Sequence, residues 1–206
     1  MRKWSILILT LAIVAVWSAS VFVSSAAAEA GKHQFVGASK CKMCHKKAEA
    51  GEQFAKWEAS AHAKAFATLG TEEANKISEK LGFGKAQEAA ECLRCHVTGH
   101  GAAAELLGPK YAKEEGVGCE SCHGAGGDYQ KKATMKGITM GTIDGATVGL
   151  IKPTKDTCLE CHNDKSPTFA GFDYDKQLAK IAHNMPAEYK AAAKAGKAAG
   201  SDDAGE

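Results

Sequence analysis

Every cysteine of this chain stands in one repeated word. Cys41-Lys-Met-Cys44-His45, Cys92-Leu-Arg-Cys95-His96, Cys119-Glu-Ser-Cys122-His123 and Cys158-Leu-Glu-Cys161-His162 use all 8 cysteines of the 206 residues. No thiol remains for a separate disulfide. The fold must present four such groups, so they constrain it more than any hydrophobic pattern does.

Three chemistries use Cys-x-x-Cys. Thioredoxin-like redox centres carry one pair beside a βαβ unit, and no such pattern is present. Zinc joins two pairs into a Cys₄ site, which leaves four adjacent histidines unexplained. Covalent haem uses all three residues. The thiols bond the porphyrin edge and the next imidazole reaches the iron from one face. The tight spacing lets a short turn offer all three groups to one macrocycle. The cofactor expected is therefore c-type haem, four copies, bound at Cys41, Cys44, Cys92, Cys95, Cys119, Cys122, Cys158 and Cys161.

The N-terminus supports an exported chain. Arg2 and Lys3 precede an almost uncharged apolar run from Trp4 to Val23, and Ala26-x-Ala28 is a plausible cleavage site. The expected division is a signal peptide over 1–28, a tetrahaem domain over 29–186 and an Ala/Lys-rich tail over 187–206. The alternative for the first segment is a retained membrane anchor. Without a cysteine there, a lipid anchor at its end is excluded. Outside the cytosol paired cysteines normally close as disulfides, but such pairs need no histidine beside them. Loss of Arg2 and Lys3 lowers Lys plus Arg from 26 to 24, equal to the 24 Asp plus Glu. Haem propionates then make the holoprotein acidic. The scattered lysines read as solvated helix faces, with no signal for nucleic acid.

Motifs beginning at 41, 92, 119 and 158 have no common period, so the chain is not a solenoid. Aromatic residues are only 7% and glycines number 22, which suits a core supplied by flat rings approached closely by backbone. Residues 46–69 read as one helix, with Phe54, Trp57, Ala61, Ala65 and Leu69 near one face. Residues 71–81 read as a helix capped by Thr71, and 173–184 as a helix closed by Pro186. Residues 97–118 and 124–157 read mainly as loop, and the tail from Ala187 starts helical and ends disordered. The fold class expected is mainly α, with helices and long loops around four stacked haems and little or no β.

The segments KCKMCHKK, WEASAHAKAFATL, CLRCHVTGHG, GVGCESCHGAGGDY and TCLECH resemble the cytochrome c-554 family of tetrahaem cytochromes, with likeness from about Ser39 to His183. WxxSAHAKA and GVGCESCHG carry it most specifically. The resemblance implies a mostly helical domain around closely stacked haems, and electron transfer in the periplasm or on the cell exterior. Expected partners are other redox proteins, namely multihaem cytochromes and a membrane quinol-linked donor.

Eight histidines divide evenly. His45, His96, His123 and His162 belong to motifs; His33, His62, His100 and His183 do not. Equal sets suggest bis-histidine haems, which stay low-spin and pass electrons without binding substrate. His62 and His183 fall where the family places distal ligands. A packed core histidine and a helix C-terminal histidine are the bland alternatives. His100 follows His96 too closely to reach the opposite face of the same haem, so it serves a neighbouring haem or stacks on one. The family resemblance also implies a distal histidine for the first haem in the loop after the third motif, but residues 124–157 contain none. That ligand is then His33 on a flexible arm, within the chain or from an adjacent protomer, or Met135 or Met140, or absent.

The expected function is electron carriage without catalytic residues. Two alternatives stand beside it. One is a haem reductase or oxidase of small nitrogen species, open at the second haem, whose family counterpart lacks a distal protein ligand. The other is a protomer of an extracellular cytochrome filament.

Overall fold

The computed structural model describes residues 33–194, so the signal-peptide segment and the end of the tail lie outside the described residues. Ten short α-helices and five 3₁₀ turns alternate with loops; the β-structure among these residues is a single bridge between Phe35 and Leu107. The mainly α class read from the sequence is borne out.

The apolar core is small. Ala38, Phe54 and Trp57 cluster together, with Ala63 and Cys119 against them. Phe54 and Trp57 pack edge to face at 5.2 Å, and Trp57 Nε1 donates to the Val117 carbonyl at 2.8 Å. Among the described residues the largest fully buried side chain is Ser78. A polypeptide of this size normally buries several large side chains completely. The modest core here is what a chain packing around prosthetic groups requires.

Two helices match the sequence reading. Glu72–Lys80 begins at Thr71, whose hydroxyl accepts from the Ala74 amide at 3.2 Å. Tyr174–Ile181 begins at Asp173, whose carboxylate accepts from the Lys176 amide at 3.2 Å. Each cap satisfies an amide the first turn leaves free. The tail forms a helix over Ala187–Lys194.

Two expectations are corrected. Residues 46–69 are not one helix. They divide into a 3₁₀ turn Ala48–Ala50, a helix Gln53–Glu58, a 3₁₀ turn His62–Lys64 and a helix Ala65–Thr68. The first break is set by Gly51, at φ 104°. At the second, the Ser60 hydroxyl returns to the Trp57 carbonyl at 2.6 Å, and the His62 carbonyl accepts from the Val117 amide at 3.0 Å. A tertiary bond thus replaces the next helical one. Residues 124–157, read as mostly loop, contain the helix Lys132–Met140, the 3₁₀ turn Gly145–Val148 and most of a third helix from Lys155. Gly137 and the threonines lower helix propensity there. Gly137 instead gives the close approach of Ile143, whose Cδ1 would lie 2.6 Å from a Cβ at that position.

The N-terminal segment is tied down by carboxylates from later in the chain. Glu120 is 4% exposed, and its oxygens accept from the amides of Val36, Gly37 and Gly126 at 2.6–3.1 Å. Glu115 accepts from the Ala38 and Ser39 amides at 2.7 and 3.2 Å. It caps the helix Ala38–His45 from 77 residues away in sequence.

Candidate haem sites

Each Cys-x-x-Cys-His word ends or forms a helix. The first closes Ala38–His45, the second closes Ala90–His96 and the third is the helix Cys119–His123. The fourth begins in Lys155–Leu159, and the His162 amide continues the turn by donating to the Cys158 carbonyl at 3.0 Å. Residues three and four apart share one helix face. Both thiols and the imidazole of each word therefore leave from one side, as a single macrocycle requires.

The words also abut one another. The neighbouring Cys119 thiol, followed by burial, pushes the Cys41 thiol well up. Burial, then the neighbouring Cys95, pushes Cys161 up to about 12. Burial, then the Cys158 charge, pushes Cys122 up to about 11. The adjacency runs from the first word to the third, to the fourth, to the second.

Two histidines from outside the words face two inside them. The His62 and His162 ring centres lie 6.0 Å apart with planes at 67°, and those of His123 and His183 lie 6.0 Å apart at 65°. Imidazoles bonding one metal from opposite sides at about 2 Å each stand roughly 6 Å apart between ring centres. This spacing fits a shared iron. Burial lowers the pKa of His62, of His123 and of His162, and the facing histidine lowers the first two further. Neutral imidazole is the form that binds metal.

The ring orientations are fixed from behind. His183 Nδ1 donates to the Ile181 carbonyl at 2.8 Å, and His96 Nδ1 to the Ala65 carbonyl at 2.8 Å. A carbonyl only accepts, so each proton sits on Nδ1 and the lone pair of Nε2 is left for a metal. Phe172 stacks on His162 at 4.6 Å and 18°. Burial, ahead of the nearby His183, lowers the pKa of His45.

The remaining histidines separate sharply. His33 is 8% exposed, with Nδ1 2.6 Å from Asp128 Oδ2. The flexible-arm reading is corrected by this burial. The cause is the loop after the third word, which the segment joins through Gln34, whose carbonyl accepts from the Gly127 amide at 2.8 Å. His100 is exposed in a turn between Gly99 and Gly101, both at positive φ. Met135 is half-buried and Met140 is 46% exposed. Among the described residues no group of three or more His, Cys, Asp or Glu is placed to hold a metal ion by itself. A zinc site of paired words is therefore not formed there. Glu120, Glu115 and Asp128 escaped sequence reasoning, since nothing in a lone acidic residue announces a partner 80 residues away.

Helix-borne Cys-x-x-Cys-His words with outside imidazoles facing them define a c-type cytochrome. Residues 40–124 match the family described as cytochrome c554 and c-prime. A relative from Nitrosomonas europaea named cytochrome c-554 is 32% identical over 140 residues, covering 62% of this chain and 57% of that protein. The chain thus spans little more than half the length of that relative. No solved structure matches. The resemblance read from the sequence is borne out.

Proposed function

We propose that the protein is an exported electron carrier holding four covalent haems in series, in the order first, third, fourth, second along the sequence words. The neighbourhood of Cys41 with Cys119, of Cys122 with Cys158 and of Cys161 with Cys95 carries this reading, because adjacent words bring the edges of their macrocycles together. Each haem supplies reversible one-electron chemistry at iron. The chain sets spacing, burial and axial groups. His45, His96, His123 and His162 are the proximal ligands. His183 closes the third haem and His62 the fourth, making both low-spin and closed to substrate.

Electrons pass from one redox protein to another, multihaem cytochromes and a quinol-linked membrane donor being the partners expected outside the cytosol. Intact-mass measurement tests the reading: loss of residues 1–28 and four haem additions support it, and a colourless or zinc-loaded protein ends it. Potentiometric titration must then resolve four one-electron steps.

A second reading attaches to the second haem. His96 has no imidazole facing it among the described residues, and His100, the nearest in sequence, is exposed. An open iron there would bind and reduce a small nitrogen species. Carbon monoxide or nitric oxide binding to the reduced native protein, one equivalent per chain, favours it. No binding leaves a carrier alone.

A further inference from the structure

We propose that His33, oriented by Asp128, is the sixth ligand of the haem held by Cys41, Cys44 and His45, within the same chain. The proposal rests on haem being attached there. Of the four proximal histidines, His123 and His162 already face an outside imidazole at 6.0 Å. His45 and His96 do not. Of the four outside histidines, His62 and His183 are used, His100 is exposed and His33 is buried.

Three observations assign His33 to the first haem. Its segment is fastened to both neighbouring words: Glu120 of the third word holds the Val36 and Gly37 amides, and Gly37 directly precedes the helix of the first word. The Asp128 neighbourhood is also that of the first word, because Tyr129 lies close enough to Cys41 and Cys119 for their charges to act on its hydroxyl. The second word sits elsewhere, with His96 on the Ala65 carbonyl and Cys95 beside Cys161.

The local chemistry is that of a metal-binding imidazole. Asp128 engages Nδ1 at 2.6 Å, and among the described residues nothing is hydrogen-bonded to Nε2. A carboxylate on one ring nitrogen fixes the tautomer and raises the basicity of the other, the usual support behind a ligating histidine. Room for the ring is made by Gly149, at φ +84°, where a Cβ would lie 2.6 Å from His33 Cδ2. A ring enclosed by Gly149 and Asp128 is not an arm extended toward another protomer. An interchain bond is therefore not part of the proposal.

The test uses the mature holoprotein and the His33→Gly variant. Pyridine haemochrome absorbance counts attached haem independently of its axial ligands. A parent count below four would sink the proposed function, whatever His33 does. With four haems in both proteins, His33→Gly is expected to lose one low-spin ferric signal in electron paramagnetic resonance. It should gain a high-spin signal and one equivalent of carbon monoxide binding, and added imidazole should restore the low-spin form. An unchanged spectrum overturns the proposal. If the glycine variant does not fold, His33→Met decides. A thioether ligand raises the potential of one haem alone, and four unchanged potentials overturn the assignment. Asp128→Asn should keep the low-spin signal and raise one midpoint potential, because a neutral partner leaves the imidazole less basic. A merely structural ion pair would act through lost charge alone and leave the g values of every low-spin signal as in the parent, whereas a carboxylate behind an iron-bound imidazole shifts those of one signal when it is neutralised.

Discussion

His62 and His162 face each other at 6.0 Å between ring centres, although they lie 100 residues apart in sequence. Replacing His62 with Ala removes one of the pair and leaves both thioether positions, Cys158 and Cys161, untouched. The variant is expected to keep its full haem content and to open one iron, which binds carbon monoxide when reduced. Unaltered spectrum and ligand binding would make His62 a core histidine.

The break in the helix just before His62 depends on Gly116. Its φ is +68°, and a Cβ there would meet the His62 carbonyl oxygen at 2.8 Å. Gly116→Ala should cost on the order of 1–3 kcal/mol from the backbone conformation alone, read as an earlier denaturant midpoint. The same push displaces His62, so a fraction of one haem should turn high-spin. Gly82→Ala is the control. It shares positive φ but has nothing within 4 Å of its Cβ position, so it should lose stability without a spectral change.

Glu120 is buried and accepts from three backbone amides. In Glu120→Gln the amide NH₂ faces donors it cannot accept from. A loss of about 2–3 kcal/mol is expected from unsatisfied buried groups, measured by chemical denaturation. The variant also deletes a buried negative charge beside Cys119, which favours the reduced state of nearby iron. Spectropotentiometry should therefore show one or two midpoint potentials moving upward. Potentials that stay put would mean that the carboxylate lies too far from any iron to act on it.

Burial holds His62, His123 and His162 below the ordinary histidine pKa of 6.5. Above that pH neither folded nor unfolded chain takes up these protons. As pH falls through 6.5 the unfolded chain binds them first, so stability drops with falling pH and levels off below the folded-state values. Ligation to iron strengthens the trend, since metal competes with the same protons. The thermal midpoint should fall steadily from pH 7.5 to pH 5. A midpoint flat across that range would show that these imidazoles are not neutral ligands in the fold.

Cofactor class and mainly α fold are legible in the sequence because both follow from local spacing: three side chains on one turn, repeated four times. His62 and His183 stand out in the sequence by their places in short family-like segments, and the structure sets their rings 6.0 Å from those of His162 and His123. The divided helix around His62 is not, because the bond that breaks it comes from Val117, far along the chain. The burial of His33 is hidden for the same reason. Its position near the start of the chain suggests an arm, whereas Glu120 fastens the segment from within the third motif and Gly127 and Asp128 from beyond it. The helix Lys132–Met140 was obscured by Gly137, whose presence records a contact with Ile143 rather than a turn.

The facing histidines also bear on how such a chain becomes folded. With iron between them, His62 and His162 close a loop of 100 residues, and His123 and His183 one of 60. A cross-link over about 100 residues removes unfolded-state entropy equivalent to roughly 4–5 kcal/mol. Both links involve partners that meet only after later parts of the chain arrive. On the four-haem reading, attachment to the words would precede the final architecture, and the metal would act as a set of clasps that shut last. A chain whose cysteines cannot take haem lacks its staples as well as its conductor, and should remain open to proteolysis even with an unaltered polypeptide elsewhere.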